Sequence, residues 1–198
     1  MTVYNKIKWV LGILMVLGLI ALTNLIDRSN FVRVKDSITT IYEDRLVAND
    51  LIFEMLESIH KKEVAIALTD SSFFTEQNYQ INNNLQELVS RFEQTKLTTN
   101  EQTIFKNFKT NLGALDTIEQ KYIQSNLTEN SSLKNKITDL KSNLASLSKI
   151  QLDEGRKQMS ISKKAIDTVE LFTQIEIYIL ILLAIIVQIV VMYNPKKS

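Results

Sequence analysis

The chain has 198 residues, a formal net charge of +1, 45% hydrophobic residues and no cysteine, which excludes a disulfide framework and thiolate catalysis in any compartment. Between Asp27 and Glu176 it carries 22 acidic and 19 basic residues, so the basic stripe that nucleic acid would require is missing. Its one proline, Pro195, lies near the C-terminus, and nothing proline-based interrupts long helices before it.

The first element in chain order is an apolar run over residues 9–26, interrupted only by Thr23 and Asn24 and preceded by Lys6 and Lys8. At ~1.5 Å per residue it matches the hydrocarbon thickness of a bilayer, so a transmembrane helix is expected. A cleaved signal peptide is the alternative, with Ala21 and Thr23 at the −3 and −1 sites. Threonine is a poor residue there, and the run exceeds a usual signal h-region. The uncleaved anchor is the better fit.

Helical periodicity follows. Leu46, Asn49, Phe53, Leu56, His60 and Ala67 recur at three- and four-residue steps, one step passing through Glu63, and predict a bundle face widened by Ile52, Met55, Ile59 and Ile66. Asp70-Ser71-Ser72 reads as a turn with Ser71 or Ser72 as the cap. Residues 73–97 carry a second stripe, Phe74, Ile81, Leu85, Leu88, Val89 and Phe92, weakened at Gln80, Asn82, Asn83 and Asn84. After a turn at 98–100, Thr99 with Gln102 fits a capping box. Phe105, Phe108, Leu112, Leu115, Ile118 and Tyr122 mark a third helix to about Gln124. A polar loop over 125–131 precedes a fourth helix with heptad-spaced Leu133, Ile137, Leu140, Leu144 and Leu147. Its stripe falters over 153–157 and resumes at Met159, Ile161, Ile166, Val169 and Phe172.

A second apolar run, 177–193, broken only by Gln188 and followed by Lys196 and Lys197, closes the pattern. No strand alternation occurs. The expected fold is all-α: an antiparallel up-down four-helix bundle flanked by two transmembrane helices. The expected boundaries are a cytoplasmic N-terminus over 1–8, spans over 9–26 and 175–193, an extracytoplasmic bundle over 27–174 and a cytoplasmic tail over 194–198. Lysines outside both spans place both termini in the cytoplasm.

The outer two bundle helices run about 43 residues, near 64 Å, against about 25 residues and 37 Å for the inner two. The membrane-proximal stretches of the outer pair therefore lack neighbours, although they carry Phe31, Val32, Val34, Ile38 and Ile41, and Ile161, Ile166, Val169 and Phe172. A second protomer on a two-fold axis would cover them, so a homodimer in the lipid bilayer is expected.

Candidate residues for chemistry are few. A lone His60 cannot build a zinc site, and with Asn49 it reads as a register-fixing core polar residue. Lys61-Lys62, Lys163-Lys164 and Arg156-Lys157 read as solvated faces, and Gln188 as a contact within the membrane. No phosphate loop, nucleophile–base pair or metal pattern occurs, so neither an enzyme nor a cofactor nor a metal is expected.

The order of span, bundle with long outer and short inner helices, and span resembles the periplasmic sensor half of methyl-accepting chemotaxis receptors. The segment Ile41-Tyr42-Glu43-Asp44-Arg45-Leu46-Val47 resembles part of the first bundle helix of that family. The resemblance implies a sensor in the bacterial inner membrane that acts with a separate signalling protein or a full-length chemoreceptor. It also implies that Arg45 binds an anionic solute across a dimer interface, since a guanidinium suits bidentate carboxylate recognition. The plainer reading of Arg45 is an ion pair with Glu43, Asp44 or a neighbouring helix. The receptors' linker and methylated signalling hairpin have no counterpart after 194–198, so a scaffold that docks an envelope protein, or a modulator forming mixed dimers with full-length receptors, stands beside the sensor.

Overall fold

The computed structural model describes residues 3–192, which places the tail with Pro195, Lys196 and Lys197 outside the described residues. Every element among them is helical: α1 (Val3–Thr40), a π-helical turn (Ile41–Leu46), α2 (Val47–Leu68), a second π-helical turn (Phe73–Gln77), α3 (Asn78–Glu93), α4 (Thr99–Gln124) and α5 (Ser131–Met192). One stretch, beginning at Leu14 in α1, is long and apolar enough to cross a membrane among the residues described.

The chain divides into two compact units, Thr39–Gln158 and the combination of Met1–Ile38 with Met159–Ser198. The first unit is a bundle of four helical segments around one core. From α2 come Ala48, Leu51, Ile52, Met55, Ile59, Ala65 and Ile66; from α3, Leu85, Leu88, Val89 and Phe92. Phe105, Phe108, Leu112, Leu115 and Tyr122 enter from α4, and Leu133, Ile137, Leu140, Leu144 and Leu147 from α5. Contacts between helices pair Ser58 with Asn84, Glu93 with Lys109, Asn111 with Asn143, Glu63 with Lys141 and Asn49 with Ser148.

The α2 face differs from the sequence expectation. Leu46, Asn49, Phe53, His60 and Ala67 are exposed, Phe53 at 64%, whereas Ile52, Met55, Ile59 and Ile66 form the buried face. Two apolar stripes of similar spacing compete on this helix. The buried one shares the core with side chains of the other three helical segments. His60, expected in the core, is exposed and pairs with Glu63 at 3.1 Å.

The turns also differ in detail. Asp70, and neither serine, caps the start of the next segment: its Oδ1 accepts from the backbone N–H groups of Ser72 (3.0 Å) and Phe73 (3.2 Å). Thr69 ends α2 in the left-handed region, φ 53°. The capping box lies one residue earlier than expected. Thr98 Oγ1 accepts from Glu101 N at 3.3 Å, and Thr98 N donates to Glu101 Oε2 at 2.6 Å. α3 ends at Glu93, short of Leu97, while α5 runs unbroken through 153–157 despite Gly155.

Among the described residues of the second unit the buried ones are small or polar: Thr23, Asn30 and Ser37 from α1, and Ser162 and Ala165 from α5. Phe31, Val32, Ile38, Ile161 and Ile166 are exposed there, while Val34, Val169 and Phe172 are half-buried.

Candidate functional site

Two charged clusters lie inside the bundle, and α4 supplies the acid of each. The core of α4 repeats as 101, 105, 108, 112, 115, 119 and 122, alternating steps of four and three. Glu101 opens this series and Glu119 lies near its end, so helical geometry alone drives both carboxylates inward.

Arg45 stands against the first. Its Nη1 donates to Glu101 Oε1 at 3.0 Å and Oε2 at 3.3 Å, and to Gln151 Oε1 of α5 at 3.0 Å. Arg45 is buried, and its ion-pair partner is on a neighbouring helix, neither Glu43 nor Asp44. Arg45 Nε and Gln151 Nε2 are buried without a hydrogen-bond partner. Glu101 thus caps α4 and neutralises Arg45 with one carboxylate.

Lys62 stands against the second. Read from sequence as a solvated lysine, it is 0% exposed. The spacing Ala48, Met55, Lys62 shows why: seven-residue steps put the lysine on the core face. Its Nζ donates to Glu119 Oε1 at 2.6 Å and to Asn78 Oδ1 of α3. Glu119 Oε2 accepts from Asn78 Nδ2 at 3.0 Å and from Asn82 Nδ2 at 3.5 Å. Burial pushes the Lys62 ammonium below its ordinary pKa, against the opposing pull of Glu119. Tyr122, one turn on, has its hydroxyl buried without a partner.

On the outer face of the bundle, Tyr42, Leu46, Val47, Asn49, Asp50 and Phe53 line an open groove of about 420 Å³. Lys61 is exposed and pairs with Glu57 at 2.9 Å. Arg156 and Lys157 make loose contacts of 3.6 Å with Asp153 and Glu154 on their own helix. The residues that sequence reasoning missed, Glu101, Glu119, Asn78 and Gln151, and the one it placed in solvent, Lys62, had a signal in common. All but Asn78 continue the three- and four-residue spacing of apolar neighbours, and Asn78 follows a π turn that periodicity does not reveal.

No curated protein and no solved structure matches the chain. A family model described as a four helix bundle sensory module for signal transduction matches residues 1–166. With the all-helical bundle and its ion-paired core in place, that match over most of the chain establishes that it belongs to the family of four-helix-bundle sensory modules of chemotaxis receptors.

Proposed function

We propose that the protein is a membrane-anchored sensor subunit of signal transduction that detects a small solute outside the cytoplasm and acts through a receptor-type signalling partner. Its bundle, over 27–174, is antiparallel and up-down between spans at 9–26 and 175–193, in a bacterial inner membrane with both termini cytoplasmic. The helix pairings support the direction of the helices. Paired contacts run in opposite number order: Ser58–Asn84 with Lys62–Asn78 between α2 and α3, Glu93–Lys109 with Asn78–Glu119 between α3 and α4, and Asn49–Ser148 with Glu63–Lys141 between α2 and α5. Lys6 and Lys8 before the first apolar run, with Lys196 and Lys197 after the second, support the orientation. The observation that carries the sensing role is the family match over residues 1–166.

The protein works as a homodimer. The exposed α2 stripe of Leu46 and Phe53, beside Tyr42, supplies an unpartnered apolar face in the bundle, and Phe31 and Ile38 supply one in α1. Of the two readings of Arg45, the ion pair with a neighbouring helix is the one its surroundings favour, since a carboxylate ligand would have to displace Glu101. Titration with any ligand found separates them: Arg45→Lys weakens a carboxylate ligand only if the planar guanidinium holds it.

Thermal unfolding of the purified protein against a metabolite panel tests the sensing role. A ligand at 100 times its dissociation constant adds about 2.7 kcal/mol. A panel without any stabilising compound, together with capture of a defined envelope protein on the Tyr42–Phe53 groove, would favour the scaffold. For orientation, a cysteine at Ser72 reacts with an impermeant reagent in intact cells; labelling at a tail cysteine instead overturns the topology.

A further inference from the structure

Within α1, four exposed residues stand on one line at seven-residue spacing: Leu17, Asn24, Phe31 and Ile38. Three of them are apolar, and Phe31 is 70% exposed. Asn24 Nδ2 donates to Ile20 O at 3.0 Å within the helix. Such a line is the seam along which one helix meets another.

Asp27 and Arg28 flank that seam. At about 100° per residue, Asn24 and Phe31 each fall between them around the helix, about 40° from one and about 60° from the other. Asp27 is half-buried in a groove of about 500 Å³ that Phe31, Val34, Ile166 and Val169 also line. Its Oδ1 is buried without a hydrogen-bond partner. Arg28 lines the same groove from the other flank, is exposed, and makes no ion pair among the described residues. Successive residues of a helix do not face each other, so Arg28 does not serve the carboxylate beside it. A carboxylate oxygen withdrawn from water without a donor is costly, and the groove therefore lacks a cation.

We infer that a second copy supplies it: two chains meet along the Phe31 seam, and each Asp27 accepts from the partner's Arg28. The inference rests on the homodimer and the membrane anchoring proposed above, and names the charged contact that sets the register of the dimer. Copies inserted in one orientation share a two-fold axis along the membrane normal, so equal residue numbers lie at equal height. Two neighbouring residues that straddle the contact line then face each other across it, 27 against 28 and 28 against 27. Lys35, on the same flank as Arg28, is eight residues beyond Asp27, about 12 Å of helix, which leaves Arg28 as the basic group at the right height. One chain thus carries both halves of a self-complementary pair, beside an apolar surface that the same contact covers.

The test uses the full chain in detergent, with two tags to distinguish self from mixed dimers. Asp27→Arg and Arg28→Asp each set like charges against each other twice, and each should lower dimer content by about tenfold or more. A chain carrying both substitutions should recover the native dimer content. The two single variants mixed together should form mixed dimers in preference to self dimers. Arg33→Asp makes the same charge change on the opposite side of α1 and should leave the dimer unchanged. The pair is overturned if the single variants dimerise like the native chain, which would leave Asp27 to lipid head groups or water. It is also overturned if the swapped chain stays as weak as the single variants, or if Arg33→Asp acts as strongly as Arg28→Asp. Should a reversed charge lose helix by circular dichroism, Asp27→Asn and Arg28→Gln decide. Each should weaken the dimer, and both together by no more than one alone; additive losses, or none, overturn the pair. A native chain that is monomeric at every concentration removes the homodimer itself, whereas a native dimer indifferent to these charges removes only the ion pair.

Discussion

Lys62 and Glu119 bring an ammonium and a carboxylate into the bundle, against the aromatic and aliphatic side chains that fill most of its core. Desolvation makes each charge dependent on the other, so removing one partner strands the second. Glu119→Gln or Lys62→Met alone should cost about 3–5 kcal/mol in chemical denaturation. Lys62→Met combined with Glu119→Leu should recover most of the loss or exceed the parent. An additive outcome, with the double variant worse than either single one, would count against an ion pair that is costly to desolvate. The pH dependence follows from the direction of the shift. Burial lowers the Lys62 pKa in the folded chain, so across the alkaline interval below its ordinary value the unfolded chain binds more protons, and stability rises with pH there. Lys62→Met should remove that rise. Two outer carboxylates act at the other end of the scale. Hydrogen bonds from Lys141 to Glu63, and from Ser72 and the Phe73 amide to Asp70, hold both below the usual carboxylate range. Their stabilisation is complete above that range and is lost as pH falls from it through the lowered folded-state values, so Glu63→Gln and Asp70→Asn should flatten the acid limb of a stability–pH curve.

At the scale of the helices, the ends of α2 and α4 are where the sequence was hardest to read. Thr98→Ala removes a hydroxyl acceptor at the start of α4 and should cost about 1 kcal/mol. Thr69 holds φ 53°, a conformation that costs a β-branched residue about 1–2 kcal/mol relative to glycine, so Thr69→Gly should raise the melting temperature. Glycine usually marks such an end, and its absence at Thr69, Asn126 and Leu127 hid three left-handed residues from sequence reasoning. The α4 and early α5 stripes were legible because a single strict spacing fits them, and Phe105 to Tyr122 and Leu133 to Leu147 are buried as expected, with Ile118 half-buried. The α2 face was not, because Leu46 and Phe53 on one side compete with Ile52 and Ile59 on the other, and only the positions of neighbouring helices decide. Both π turns were invisible for a related reason. They follow from the register that packing demands, and no local residue preference encodes them. The charged cores were half legible: Lys62 and Glu119 keep core spacing, but composition argued that lysine and glutamate belong in water.

For the whole molecule, each of the two compact units leaves an apolar surface uncovered. In the bundle it is the stripe through Leu46 and Phe53; in the other unit it is Phe31, Val32 and Ile38 with Ile161 and Ile166. A bilayer could cover residues within the spans, but Phe53 follows the expected first span by 27 residues, about 40 Å of helix, well beyond the hydrocarbon. Water contact on such side chains costs roughly 25 cal/mol per Å², and an isologous contact with a second copy is the simplest arrangement that removes it, because one stripe then serves both sides. Phe53 makes the sharpest test, since it is not in the core and its loss leaves the four-helix packing intact. Phe53→Asp should lower dimer content by tenfold or more in detergent, by sedimentation or cross-linking, while the melting temperature of the monomer changes by little. Ile38→Asp and Ile166→Asp should act in the same direction from the other unit. Ile59→Asp is the contrasting control: it puts a carboxylate into the core and should unfold the bundle itself. A native protein that stays monomeric at every concentration tested would remove the homodimer and leave the Phe53 stripe to a different protein.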